Sequence, residues 1–95
     1  MDNPRYTEQR IDDALAGTGI SVAWDGNEPT GDEVASFYVC ADEDDTDLLV
    51  WDHGHRFEIV ESVDRRSYVS LQDAYDFDDL AAKLVNIIDR LGDET

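Results

Sequence analysis

The sequence predicts an α+β domain: an antiparallel meander of four to five strands, with an N-terminal and a C-terminal helix packed on one face. Apolar residues recur with helical spacing at both ends of the chain, whereas the middle alternates apolar and polar residues as strands do. The middle segments are joined by short turns, which favour antiparallel neighbours. Segregated helices and strands are typical of α+β proteins, and residues 1–95 are expected to form a single domain.

The run from Asp76 to Gly92 has the strongest helical pattern in the chain. Its apolar stripe repeats at steps of three and four residues and consists of Phe77, Leu80, Ala81, Leu84, Ile88 and Leu91. We expect Asp76 to cap the first turn, because its carboxylate can accept hydrogen bonds from the free N–H groups there. Gly92 is expected to end the helix in a left-handed conformation. A stripe this wide needs a sheet or a second helix to pack against.

A shorter helix is predicted over residues 4–16. Asn3 and Pro4 make a favourable start, with Asn as the N-cap and Pro at the first helical position. Ile11 and Leu15 lead an apolar stripe that is weaker than the one near the C-terminus. This helix should therefore be held less firmly than the C-terminal helix.

Five segments between the helices have the composition and alternation of strands. They cover residues 20–25, 36–41, 48–51, 56–63 and 67–71. The predicted connections are a solvated loop over 25–33, an acidic turn over 42–47, a hairpin turn over 52–55 and a turn over 64–66, followed by a link over 72–75. Phe57 and Ile59 are the strongest core candidates of the fourth strand.

The charge of the chain is its most informative property. It contains 24 acidic and 7 basic residues, for a formal net charge of −17, and 41% hydrophobic residues with clear periodicity argue against disorder. Asp outnumbers Glu by 17 to 7, and Lys83 is the single lysine beside six arginines. This composition resembles that of proteins from halophilic archaea, where salt screens the repulsion between acidic groups. The alternative is that the protein mimics a nucleic acid and occupies the nucleic-acid-binding site of a basic partner.

The same charge restricts the partners and the setting. Direct binding to DNA or RNA is not expected, because the chain has no basic patch to neutralise phosphates. Anionic membranes are disfavoured for the same reason. The chain has no apolar run long enough to span a bilayer and no signal-peptide pattern, and Cys40 has no second cysteine to pair with. We therefore expect a cytoplasmic protein.

Few residues have the spacing of a catalytic or metal site. His53 and His55 flank a glycine in the predicted hairpin turn, and Asp52 could supply a third ligand for zinc or a similar divalent ion. Asp42, Asp44 and Thr46 have the spacing that begins a calcium loop, but the later positions depart from that pattern. The chain has no Gly-rich phosphate loop and no nucleophile elbow, so neither catalysis nor a cofactor other than that possible metal is expected.

A protein-binding surface is the interpretation that the aromatic residues favour. The second and third strands carry apolar residues on both faces, so a surface for a partner or a second copy is expected on the sheet face away from the helices; the candidate residues are Tyr38, Cys40, Trp51 and Tyr68. The sequence therefore predicts a non-catalytic interaction or regulatory domain from a high-salt cytoplasm, acting on a protein partner or as a homodimer. The acidic decoy, and more weakly a metal-binding protein using His53 and His55, stay open as alternatives.

Overall fold

The structure, a computed structural model, describes residues 4–26, 35–42, 44–64 and 67–93. Its elements are α1 (Pro4–Ala14), β1 (Ile20–Trp24), β2 (Ala35–Ala41), β3 (Asp44–Asp52), β4 (Phe57–Ser62), β5 (Tyr68–Ala74) and α2 (Phe77–Asp93). The five strands form one sheet in the order β1-β2-β3-β4-β5, and every neighbouring pair is antiparallel. The predicted α+β meander with a helix at each end is confirmed. The predicted N-cap Asn3 and most of the predicted loop over 25–33 lie outside the described residues.

Both helices pack on the same face of the sheet and share one core with it. The buried side chains of this core come from both helices, from the turn after α1 and from all five strands; the largest fully buried ones are Ile11, Leu15, Phe37, Leu48, Ile59, Leu80 and Leu84. Burying one such side chain contributes about 1.5–3 kcal/mol relative to leaving it in water. The core candidates Phe57 and Ile59 are both buried, at 8% and 0% exposure.

The start of α2 follows the predicted capping pattern. The backbone N–H of Asp79 donates to the carboxylate of Asp76 at 2.6 Å, and the N–H of Tyr75 donates to the carboxylate of Asp79 at 3.3 Å. The first bond satisfies a donor that the helix leaves free in its first turn, and the second ties the residue before the cap to that turn. At its other end α2 runs to Asp93, so Gly92 belongs to the last turn instead of following it.

Two strands extend by three residues or more beyond their predicted bounds. β3 begins at Asp44, because Asp44 and Asp45 pair with the end of β2 instead of forming a turn. The register shifts along this pair, and Thr46 uses its hydroxyl to donate to the carbonyl of Val39 at 2.7 Å. β5 continues to Ala74, which pairs with Phe57 and is fully buried. In both places cross-strand pairing and burial outweigh the turn-like composition of the residues.

Acidic side chains of α1 cover the outer edge of β1. The N–H of Val22 donates to Asp12 at 2.8 Å, and the N–H of Trp24 donates to Glu8 at 2.6 Å. The N–H of Ile20 donates to the hydroxyl of Thr18 at 3.1 Å in the connection. The spacings match, since four helical residues rise about 6 Å and two strand residues about 6.7 Å. An edge whose donors are occupied in this way is protected against pairing with another strand.

The contact between α1 and β1 has an electrostatic cost. Burial raises the pKa of Asp12, and the negative charges of Glu8 and Asp13 raise it further, whereas the hydrogen bond from Val22 lowers it. A carboxyl group whose pKa is raised on folding contributes most to stability when it is protonated, and this contribution falls as the pH rises through the folded-state pKa. At neutral pH Asp12 thus provides a hydrogen bond while its charge opposes folding.

Two substitutions of Asp12 separate the hydrogen bond from the charge. Asp12→Ala leaves the N–H of Val22, whose residue is 4% exposed, without its acceptor, and we expect a loss of about 1–3 kcal/mol. Asp12→Asn keeps an oxygen at the same place without the charge, and is expected to be at least as stable as the native protein. Urea denaturation at neutral pH measures both. Equal destabilisation by the two variants would show that the carboxylate charge, and not the hydrogen bond, holds the edge.

Candidate interaction surface

The sheet face opposite the helices, called the open face here, is built around Tyr38, Cys40, Leu49, Trp51, Val60 and Tyr68. The register places these residues together: Tyr38 lies opposite Leu49, and Leu49 lies opposite Val60. Directly paired side chains share a face of the sheet, and neighbours along a strand alternate between faces. All four residues predicted from the sequence as an interaction surface therefore lie on the open face. Their role in binding stays a prediction.

Aromatic side chains close this face in place of a helix. Leu49 and Val60 are 8% and 1% exposed, although neither helix packs on their side of the sheet. Their larger neighbours there include Trp51 and Tyr68, whose ring centroids lie 5.3 Å apart in an edge-to-face arrangement. Tyr38 and Tyr68 stay 55% and 48% exposed. The open face thus has an aliphatic base and an outer aromatic layer that is half in solvent.

Sequence reasoning missed Leu49 and Val60 as buried residues. The signal was present, because each belongs to a short run of consecutive apolar residues, Leu48 to Val50 and Ile59 to Val60. Such runs are typical of strands buried on both faces, whereas a strict alternation indicates burial on one. The central strands β3 and β4 are therefore covered on both faces, and the aromatic layer lies over the middle of the sheet.

Two shallow clefts lie on either side of Tyr38. The first has a volume of about 220 Å³ and is also lined by Leu49, Tyr68 and the acidic Asp47. The second has a volume of about 360 Å³ and is lined on its other side by Ala23, Cys40 and Asp45, among others. Each cleft combines the tyrosine ring with one aspartate. This pairing of a ring face with a carboxylate is suited to the cationic side chain of a bound protein.

Cys40 does not have the surroundings of a reactive thiol. Its sulfur lies 3.6 Å from a carboxylate oxygen of Asp45. Burial raises the pKa of the Cys40 thiol, and the hydrogen bond and the charge of Asp45 raise it further. Nucleophilic cysteines need the opposite, an electropositive environment that favours the thiolate. Cys40 therefore belongs to the open face as a small apolar side chain.

A polar cluster around Glu58 borders the aromatic layer. Glu58 accepts from His53 Nε2 at 2.9 Å, and Arg56 lies 3.8 Å from the same carboxylate while it donates to Asp73 at 2.9 Å. A hydrogen bond from the Ser70 hydroxyl is the main cause that lowers the pKa of Glu58, and His53 and Arg56 lower it further against the effect of burial. The cluster ties the β3–β4 turn to β5 and holds Glu58 in its ionised form.

The residues predicted as a metal site are separated by other contacts. The rings of His53 and His55 have centroids 6.5 Å apart, and His53 Nε2 is engaged by Glu58. Asp52 accepts from the backbone N–H of Gly54 at 2.8 Å and so stabilises the turn. In the ranges that the structure describes, no three His, Cys, Asp or Glu side chains are grouped to hold a metal ion. A metal at this turn would first have to displace Glu58 from His53, so the site stays a prediction.

The residues with the calcium-loop spacing also contribute to contacts between strands. Thr46, the third residue of that pattern, is part of β3, and its hydroxyl donates a hydrogen bond to the carbonyl of Val39. Asp42 occupies the turn between β2 and β3 with a φ of 52°, and its N–H donates to the carbonyl of Gly19. These three positions are thus used in the turn and the register shift between the two strands.

Comparison with models of protein families, with curated proteins and with solved structures gives no match. In the part of the chain that the structure describes, neither helix has the length and apolar character needed to cross a membrane. The fold and the site define the class: an α+β meander with one face covered by helices and one open, aromatic face.

Removing the Ser70 hydroxyl is expected to raise the pKa of Glu58. A carboxyl group whose pKa is lowered on folding adds stability above its unfolded-state value, and this stability is lost as the pH falls through the folded-state pKa. Ser70→Ala should therefore destabilise the protein at neutral pH and have little effect once Glu58 is protonated. A carboxyl ¹³C titration by NMR, with denaturation at both pH values, measures this. Ser62→Ala is the control, since that hydroxyl donates to the backbone of Asp64 instead. An unchanged pKa in Ser70→Ala would contradict the assignment.

Proposed function

We propose that the protein is a small, non-catalytic interaction domain that binds a protein partner through the open face. The observation that carries this proposal is the half-exposed aromatic layer of Tyr38 and Tyr68 above the buried Leu49 and Val60. Tyr and Trp are enriched in protein interfaces because they bury a large area at a low cost in conformational entropy. Covering Leu49 and Val60 does not require Tyr38 and Tyr68 to keep about half of their surface in water, and it is this exposed half that is available to a partner.

The partner that fits this face is a protein segment with both basic and apolar side chains. Asp45 and Asp47 lie in the clefts beside Tyr38, and Asp73 and Glu58 lie at the other end of the face. Arginine suits such a place, because its planar group stacks on an aromatic ring while it donates to a carboxylate. The net charge of −17 opposes an acidic partner.

A high-salt cytoplasm is the setting that the composition favours. The preference for Asp over Glu and the single lysine support this part of the proposal. At molar salt the screening length falls to about 3 Å, so only charges in direct contact contribute to binding. Under those conditions an aromatic face with carboxylates beside it would bind through short-range contacts instead of a long-range field.

The acidic decoy is the alternative, and the distribution of contacts separates it from the first proposal. A nucleic-acid mimic acts through its carboxylates, which also line the outer surface of α2 at Asp78 and Asp89. Binding confined to the open face would favour the interaction domain. Binding spread over the acidic surface of the helices would favour the decoy.

A titration with two peptides tests the binding face. We expect a blocked peptide of alternating arginine and leucine to shift the NMR signals of Tyr38, Trp51 and Tyr68, and a peptide of alternating arginine and serine to bind more weakly. Tyr38→Ala should weaken binding of the first peptide about 5-fold, or about 1 kcal/mol. Tyr75→Ala, which removes another exposed tyrosine, is the control. Shifts of equal size along α2, or identical binding of the two peptides, would contradict the proposal.

Circular dichroism tests the salt adaptation. We expect the midpoint of thermal unfolding to be higher in about 2 M KCl than in about 50 mM KCl, because repulsion among the acidic groups is screened. The double variant Asp78→Asn, Asp89→Asn removes two exposed charges from α2 and should show a smaller dependence on salt. A cooperative transition with the same midpoint at both concentrations would count against a high-salt setting and in favour of the decoy.

A further inference from the structure

The two edges of the sheet differ in how they are protected. On the β1 edge, side chains from α1 and the following turn accept the outward N–H groups of Ile20, Val22 and Trp24. At the β5 edge, Lys83 donates to the carbonyl of Asp73 at 2.6 Å, near the end of the strand. Among the residues that the structure describes, no side chain accepts from or donates to the backbone of residues 68–71. Unpaired strand edges of this kind are templates for another strand.

The hydrogen-bonding pattern shows which groups of β5 point outward. The N–H of Val63 donates to the carbonyl of Ser67 where β4 and β5 meet. Because the two sides of an antiparallel strand alternate, Val69 then turns its backbone groups to Glu61 of β4, while Tyr68 and Ser70 turn theirs to the outside. The free edge thus presents two N–H and two C=O groups at the spacing of a strand.

Residues 68–71 carry no charged side chain, although the protein as a whole is highly acidic. Residues 68–71 read Tyr, Val, Ser and Leu, and their exposed apolar members are Tyr68, Val69 and Leu71, at 48%, 48% and 37%. Next to this stretch lies a further cleft of about 260 Å³, which is lined by Leu71 of β5 and Leu91 of α2 among others. Since the chain carries a net charge of −17, two copies meet the least repulsion along a stretch that itself has no acidic side chain.

We propose that β5 pairs with β5 of a second copy of this chain, in antiparallel orientation about a two-fold axis. With Tyr68 opposite Ser70 of the second copy, the outward backbone groups form four hydrogen bonds, and Val69 lies opposite its own equivalent. The two five-stranded sheets then join into one continuous sheet. A second copy is favoured over a basic partner because this edge offers a cation no carboxylate along residues 68–71.

Edge pairing leaves the open face accessible and extends it. A two-fold axis perpendicular to the sheet keeps both open faces on the same side of the joined sheet. The two Tyr68 side chains then lie near the axis, between two partner-binding surfaces. The edge proposal stands on its own observations, and it adds two adjacent sites for a partner where the open-face proposal also holds.

Sedimentation velocity over a series of protein concentrations in high KCl tests the pairing. We expect the native chain to sediment as a dimer, and Val69→Lys and Val69→Glu each to be monomeric, because each places like charges opposite one another. An equimolar mixture of the two variants should recover the dimer, since lysine then lies opposite glutamate. Val63→Lys is the control, a substitution at an exposed valine outside the paired stretch. Circular dichroism verifies that every variant is folded.

The outcomes test the edge pairing and the open-face proposal independently of each other. A native chain that stays monomeric at all concentrations, a dimer that survives Val69→Lys, or variants that do not associate when mixed would overturn the edge pairing. Repeating the arginine–leucine peptide titration on monomeric Val69→Lys tests the open face without the dimer. If the peptide binds to Val69→Lys, the open-face proposal holds even where the edge proposal fails. If the native chain forms the dimer but does not bind the peptide, the edge proposal holds and the open-face proposal fails.

Discussion

The covering of a single sheet face by both helices is the constraint on which the rest of the structure depends. The apolar stripes of α1 and α2 pack with the inner residues of the strands into one core. The other face has no helix to cover it, yet Leu49 and Val60 are buried there. The rings of Trp51 and Tyr68 pack edge to face on this side of the sheet, and Tyr68 remains 48% exposed. The half-exposed aromatic layer is thus a consequence of how the core is closed.

The positions of the two helices also determine how far each edge of the sheet is protected. α1 lies beside β1, close enough for Glu8 and Asp12 to reach its backbone donors. α2 crosses behind β5 and reaches its backbone through Lys83, near the end of the strand. One edge is therefore closed by carboxylates, while the stretch 68–71 keeps its outward backbone groups. The asymmetry follows from where each helix leaves the sheet and not from the strands themselves.

Local patterns in the sequence predicted the parts of the fold that depend on local physics. The Asp76 cap of α2 and most of the apolar stripe that packs this helix into the core follow from spacing along the chain. The contact from Asp12 to Val22 could not be predicted, because carboxylates are so frequent that none is distinctive. The early start of β3 at Asp44 depends on pairing with β2, which composition alone does not show.

The acidic composition of this chain combines two kinds of carboxylate that the sequence does not distinguish. Asp12, Asp76 and Asp79 accept backbone hydrogen bonds at a strand edge and at a helix start, and Glu58 is held in a polar cluster. Asp78 and others on the outer surface of α2 are exposed. Salt screens the repulsion among the exposed groups, whereas the short hydrogen bonds of the first kind are largely insensitive to it. For this reason the net charge of −17 counts together the carboxylates that hold the fold and those that only face the solvent.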